Sequence, residues 1–491
     1  MKINKKELLK SFLLVALLFA SLVQVGLLWS EINDGINIPF FIGSSANSSD
    51  NRIKTYNSEL TKADMAAVIL NPYRITVCDG GQYSQKTQKA HYPVSRKSEL
   101  FTALKTRCRI FFEDILTVAP EPDLPVEQWG ELVTGRGFLI EFRTPVPREI
   151  ISWLIDRNNT TPDSPAEICK LLIIPEDKSG KQSVCLYVLT NNRIVPVFSP
   201  SSNYYDTQKM LNDSLLTLSG GANIRYMTIG EFGGGRFPDF SPDVFCVVDG
   251  PKTGEYKKIR YTAPTEARDK SELENIILST DIYSYNRSID YNDTLVFKNI
   301  TSVYRLYKNG FMEYNYIPLT QPGEKGGIAD ALENAAVFIL NIEKQLLGGA
   351  DLILSGIYEN ESDLTYRFEF DYVADDYPVY FSLDQPALYE GPQNAINILA
   401  NANRTVSCRW TLVDVYFGSD TKLMQIYFDQ IDVGKSLTKM AVSDIAVAYT
   451  IPLTDFADFD NSTAGGAGTA WPVWAITSPD GTVETVDMSE G

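Results

Sequence analysis

The chain has 491 residues, with 62 acidic against 44 basic side chains, a single histidine and a formal net charge of −18. Binding to nucleic acid needs clusters of Lys and Arg that release counterions, so this balance excludes DNA and RNA as partners and argues against anionic lipid headgroups. Self-repulsion favours solubility and a neutral or basic partner surface, while 44% hydrophobic and 11% aromatic residues supply ample core material for about two to four domains.

Lys2, Lys5, Lys6 and Lys10 lead into an apolar stretch from Phe12 to Trp29, broken only by Ser21, Gln24 and Gly26. As an α-helix it would cover ~27 Å, close to the hydrocarbon thickness of a bilayer. A signal-peptide core is ~7–15 residues long and ends at a small-residue cleavage site. Here Leu18 stands where that site wants a small side chain before Ala20, and the apolar run continues. The expectation is a retained anchor rather than a cleaved signal. Residues 1–10 form a cytoplasmic tail, 11–30 a single transmembrane helix of the cell membrane, and the bulk of the chain lies outside. Ala16, Ala20 and Gln24 follow at intervals of four and share a helix face. Such a small-xxx-small face lets a partner's transmembrane helix approach closely, with Gln24 offering a hydrogen bond. The bland alternative carries equal weight: alanine is common in membrane helices, and Gln24 reaches up to the interface.

Residues 31–58, rich in Ser, Asn and Gly, read as a linker. The spacing then predicts an N-terminal α+β domain over 59–203. It opens with a strand in "PYRITVCDG" ending at an Asp-Gly turn, followed by a helix with Leu100, Leu104, Cys108, Phe111 and Ile115 on one stripe. "WGELVTGRGFLIEFRTPVPREIISWLI" predicts a short strand, a break bracketed by prolines, and a helix with Pro147 near its first turn. "ICKLLIIP", "SVCLYVLT" and "RIVPVFS" are three more strands. A middle β-rich domain over 204–321 carries the hairpin signal Asn309-Gly310. The last segment, 322–491, begins with a helix whose apolar residues run from Ile328 through Leu332, Ala335, Ile339 and Ile342 to Leu346, stopping at Gly348-Gly349. Strand "DLILSGI" follows, then "LTYRFEFDY", with Leu364, Tyr366, Phe368, Phe370 and Tyr372 on a face buried under that helix and Thr365, Arg367, Glu369 and Asp371 on the other. A weaker helix is expected from Gln393 to Ala402, then strands "TVSCRWTLVDVYF" and "KLMQIYFDQI", and a closing hairpin on Asp480-Gly481. The fold class is α+β: one transmembrane helix followed by several extracytoplasmic domains of helices packed on antiparallel sheets.

Little of this carries chemistry. The six cysteines contain no C-x-x-C, and contexts such as "SVCLYV" and "VFCVV" point to buried free thiols; the spacings assign no pairing. The three strings of a penicillin-binding acyl enzyme occur, "SLTK" at 436–439, "SDN" at 49–51 and "KTG" at 252–254, but in the wrong order, with "SDN" in the linker. His91 reads as a surface or loop residue, and one histidine rules out a multi-histidine metal cluster. "VGKS" at 433–436 lacks the first glycine of a phosphate loop. "GEFGGGRF" reads as a flexible loop, and "DFADFDNS" as a solvated acidic turn rather than a calcium loop. No catalytic set, cofactor or metal site emerges.

The order of a basic tail, one apolar helix, "PYRITVCDG", "GFLIEFRTPVP" and "YKNGFMEYNYIP" resembles the YycH family, extracytoplasmic accessory proteins of the cell-wall two-component system of Gram-positive bacteria. The C-terminal part, with its helix-on-sheet unit and "AWPVWAIT", is also similar to YycI. Residues 206–260 fit no pattern of the family. The resemblance implies a non-enzymatic regulator that contacts a WalK-like sensor histidine kinase, together with a YycI-like protein, through its membrane helix and exterior domains. From another class, the alternative is an envelope protein that captures a peptide or cell-wall fragment in a groove.

Overall fold

Thr61 opens the first helix by a capping box: its side chain accepts from the Asp64 amide, while Asp64 Oδ2 accepts from the Thr61 amide at 2.9 Å. The computed structural model describes residues 60–81, 89–157, 160–178, 181–219, 225–233, 237–249, 253–263, 270–278, 285–290, 294–308, 310–317, 326–346, 350–360, 364–383, 394–426, 441–453 and 467–488. After α1 (Lys62–Ile69) come β1 (Arg74–Asp79), β2 (His91–Pro93), α2 (Glu99–Thr117), α3 (Trp129–Leu132), β3 (Arg136–Pro147), α4 (Arg148–Leu154), β4 (Glu167–Lys178), β5 (Lys181–Leu189), β6 (Ile194–Ser199), α5 (Tyr204–Ser219), β7 (Arg225–Thr228), α6 (Ile229–Gly233) and β8 (Phe245–Asp249). The eight strands form an antiparallel sheet in the order β6-β5-β4-β3-β1-β2-β7-β8.

Both faces of this sheet are covered, which is why its central strands read as unbroken apolar runs instead of alternating. On one face α2 buries Phe101, Leu104, Cys108, Phe111 and Ile115, and α5 adds Leu211 and Leu215. On the other, Trp129 and Val133 pack against Cys78, Leu139, Leu172 and Cys185. The break expected at Pro145 is absent. β3 runs on to Pro147, and a register shift between Glu141 and Val146 takes up the residues that cannot pair, since proline has no N–H to give the ladder. β7 and β8, from the segment expected as a β-rich middle domain, hydrogen-bond into this first sheet after the sixteen-residue α5. "GEFGGGRF" is a short helix over its first four residues, not a loop.

The chain continues through β9 (Thr253–Thr262), α7 (Lys270–Leu278), β10 (Asn286–Ile289), β11 (Leu295–Lys298), β12 (Ser302–Leu306), β13 (Phe311–Tyr316), α8 (Ile328–Leu346), β14 (Asp351–Asn360), β15 (Thr365–Ala374), β16 (Tyr377–Leu383), β17 (Ile396–Ala400), β18 (Thr405–Thr411), β19 (Asp414–Gln425), β20 (Asp444–Leu453), β21 (Ala467–Ala470), β22 (Pro472–Thr477) and β23 (Val483–Asp487). Twelve of these strands make the second sheet, β10-β11-β12-β13-β18-β17-β15-β16-β20-β22-β23 with β14 beside β15, and β19-β9-β21 make a third. α8 lies across β15, β17 and β18, while β14 packs against β3 of the first sheet. Gly310, at φ +89°, turns the β12–β13 hairpin as its sequence requires.

Two expectations fail here. The helix expected over 393–402 is strand β17, held between β15 and β18. Ile396, Ile398 and Ala400 are buried alternately, a period of two that pairing partners on both edges enforce over local helical preference. β15 does bury Phe368, Phe370 and Tyr372, but Asp371 on its other face is buried as well, and Leu364 at the tip is exposed.

Candidate functional site

Where the two large sheets meet, six charged side chains form a cluster of three cations and three carboxylates. Arg74 of β1 donates from Nε to Glu141 Oε2 of β3 at 2.5 Å and from Nη2 to Asp444 Oδ1, at the start of β20, at 3.0 Å. Lys170 of β4 reaches Glu141 at 3.2 Å and Asp243 at 2.6 Å. Arg143 lies 3.7 Å from Asp444 and donates to the Tyr380 and Thr477 hydroxyls. Tyr73 donates to Asp444 at 3.0 Å, and the Trp129 indole N–H to Asp243 at 3.0 Å. Burial alone would raise the Asp444 carboxyl, yet Arg74 and then Arg143 hold it below its ordinary value. Asp243 is likewise held low, with Lys170 overcoming burial. The cluster is charge-matched and densely bonded, so it works as a joint between sheets rather than as a reactive centre.

Beside the joint, the Arg74 guanidinium sits 5.1 Å over the Phe245 ring, and the His91 ring lies 5.0 Å from that same phenyl. His91 is fully buried in β2, not on the surface as expected; three residues are too few to show a strand's alternation. Its Nδ1 is 3.2 Å from Cys78 Sγ and its Nε2 3.3 Å from Glu231 Oε2. A thiol, an imidazole and a carboxylate in line is the geometry of a nucleophilic triad. Burial and then the nearby carboxylates Glu141, Asp79 and Glu231 push the Cys78 thiol far up, the reverse of the shift that activates a nucleophilic thiol. All six cysteines are free; burial also pushes Cys108 and Cys246 up to about 12.

Past Phe245 opens a cavity of about 250 Å³ to which all three sheets contribute. Tyr226 and Phe245 come from the first sheet, Tyr256 from β9, and Tyr377, Ile445 and Trp474 from the second. The Tyr256 and Tyr377 rings lie 5.7 Å apart, tilted at 60°. Arg96 closes one side: its Nη1 donates to the Pro72 carbonyl at 2.6 Å, its guanidinium covers Phe101, and its main-chain amide donates to Asp376 at 2.6 Å.

The crystal structure of YycH from Bacillus subtilis superposes on this chain with a TM-score of 0.54, covering 88% of this chain and 98% of that one at 13% sequence identity. The fold is that of YycH. No protein-family model matches the chain, and no curated protein matches it by sequence.

Fold by itself assigns no activity. The membrane-helix face Ala16, Ala20 and Gln24 lies outside the described residues, as do "SDN", "SLTK", "VGKS" and the acidic turn at 455–462. Of "KTG" the described part, Thr253 and Gly254, is in strand β9. Among the described residues no three His, Cys, Asp or Glu side chains gather as a metal site, and no helix is long and apolar enough to cross a membrane. Sequence reasoning missed both the joint and the cavity. Arg74 and Asp444 are 370 positions apart, and the one available sign was a surplus of charged residues inside otherwise apolar strands, such as Arg74, Glu141, Arg143 and Lys170.

Proposed function

We propose that this chain is a membrane-anchored regulatory accessory protein of the YycH kind. Its bulk lies outside the membrane, and it sets the activity of a WalK-like sensor histidine kinase that controls cell-wall metabolism, in company with a YycI-like protein. The observation that carries this reading is the YycH fold over 88% of the chain. It is supported by the eighteen-residue apolar stretch behind four lysines. Contact with the kinase runs in part along the Ala16, Ala20 and Gln24 face, where small side chains permit close helix packing. The test is crosslinking in membranes from positions beside Ala16 to the kinase. Replacing Ala16 and Ala20 by Ile should preserve insertion and sharply reduce the crosslink, and the kinase should co-purify with the unaltered chain. A kinase whose output is the same with and without this protein would refute the reading.

A further inference from the structure

Two arginines line the cavity, and their surroundings treat them differently. Burial lowers Arg74, yet Asp444 and then Glu141 overcome it and hold the guanidinium well above its ordinary value. At Arg96 burial wins: it pulls the group down, and Asp351 and then Asp376 pull the other way without making up the loss. The Arg96 side chain is only 5% exposed, and its Nε and Nη2 are buried with no hydrogen-bond partner among the described residues. Asp351 Oδ2 lies 3.6 Å from Nε, beyond hydrogen-bond reach, on a side chain that is 67% exposed and screened by water. Asp376 Oδ1 accepts from the Arg96 main-chain amide. The neighbouring cation Lys105 is itself pulled down, by burial and then by Arg96. Buried donors without acceptors cost free energy, and here they belong to a charged group in the wall of an open space.

We infer that this cavity binds a small aromatic carboxylate, its two oxygens on Arg96 Nε and Nη2 and its ring among Tyr256, Tyr377 and Trp474. The acid group follows from the arginine. Nε and Nη2 share one edge of the planar guanidinium, the edge that grips a carboxylate by two parallel charge-assisted bonds. Nη1 is already taken by the Pro72 carbonyl and the guanidinium rests on Phe101, so the free edge is held in place before a ligand arrives. A cation would be repelled there, and a neutral amide would offer one acceptor and turn an N–H toward the second donor. The aromatic body follows from the rest of the wall, which is lined by three rings able to stack offset or edge to face. Size follows from the volume: about 250 Å³ lies between the ~150 Å³ that holds benzene and the ~300 Å³ of the smallest drug-sized sites, room for one or two fused rings. This binding neither requires nor implies kinase regulation, so the two readings fail separately.

The test titrates the purified full-length chain with 1-naphthoate by calorimetry and ligand-observed saturation-transfer NMR. The same titrations use 1-naphthamide, which keeps the rings and loses the charge, and acetate, which keeps the carboxylate and loses the rings. 1-Naphthoate should saturate one site and bind more than about ten-fold tighter than 1-naphthamide, while acetate should not saturate. Arg96→Gln should weaken 1-naphthoate by more than about ten-fold and leave 1-naphthamide within about two-fold. Asp351→Asn, on an exposed side chain, removes the one carboxylate that competes for Nε and should tighten 1-naphthoate about two-fold. If Arg96→Gln fails to fold, Asp351→Asn and the comparison with the amide decide. Absence of saturable 1-naphthoate binding, equal affinity for 1-naphthamide, indifference of 1-naphthoate to Arg96→Gln, or no tightening by Asp351→Asn would overturn the assignment.

Discussion

The joint and the cavity adjoin each other, share Tyr73 and Arg74, and are built on opposite plans. In the joint each charge faces an opposite charge or a hydroxyl, and the result is an ionic weld. In the cavity aromatic rings leave an open volume, and Arg96 Nε and Nη2 in its wall are buried without a hydrogen-bond partner among the described residues. A densely bonded region beside an open one separates what holds this molecule together from where it leaves space for a ligand.

The largest expected effect breaks the weld. Asp444→Asn leaves Arg74 and Arg143 buried beside a neutral amide, and loss of one partner from a buried ionic network costs ~3–5 kcal/mol. Urea unfolding at pH 7 should read that loss; a loss no larger than that of a surface substitution would show the joint to be dispensable. Asp371, near Arg143, sharpens the contrast because its shift has the opposite sign. Burial pushes its carboxyl up to about 7, with Arg143 pulling the other way. A carboxyl whose folded pKa lies above its unfolded value stabilises the fold while protonated, and that contribution is lost as pH rises through about 7. Asp444, held low, contributes above the ordinary carboxylate range and loses its contribution as pH falls. Asp371→Asn should therefore raise stability by about 2 kcal/mol at pH 8 and by little at pH 4, measured as unfolding midpoints across pH. A gain at pH 4 equal to that at pH 8 would contradict it.

Phe245→Leu sits on the boundary and should cost about 1–1.5 kcal/mol, the sum of lost volume and of the Arg74 cation–π contact, read by thermal unfolding. Smallest of all is Tyr256→Phe, expected to change stability by less than ~0.5 kcal/mol because its hydroxyl bonds nothing. A penalty above that would mean that the hydroxyl has a structural partner.

Much of the architecture was legible because it is local. The stripe on α2, the hairpin at Gly310 and the apolar face of α8 are each written within twenty residues. Where the reading failed, distant chain segments decided the outcome. Residues 396–400 became a strand because β15 and β18 offered two edges, and Pro145 was absorbed by a register shift against β4. His91 was misplaced because its burial depends on Glu231 and Phe245, both more than a hundred residues away. The candidate site was illegible for the same reason, since its walls come from strands β1 to β22.

β16 and β20 are the one parallel pair among the named strands of the described residues, with Val379 opposite Tyr449 through Leu383 opposite Leu453. Between them the chain leaves, builds β17, β18 and β19, and returns. Parallel pairing across such a separation is slow to form, and it is this strand that delivers Asp444. The weld therefore forms only when β20 has found its register beside β16, so its strength reports that this long-range pairing is complete.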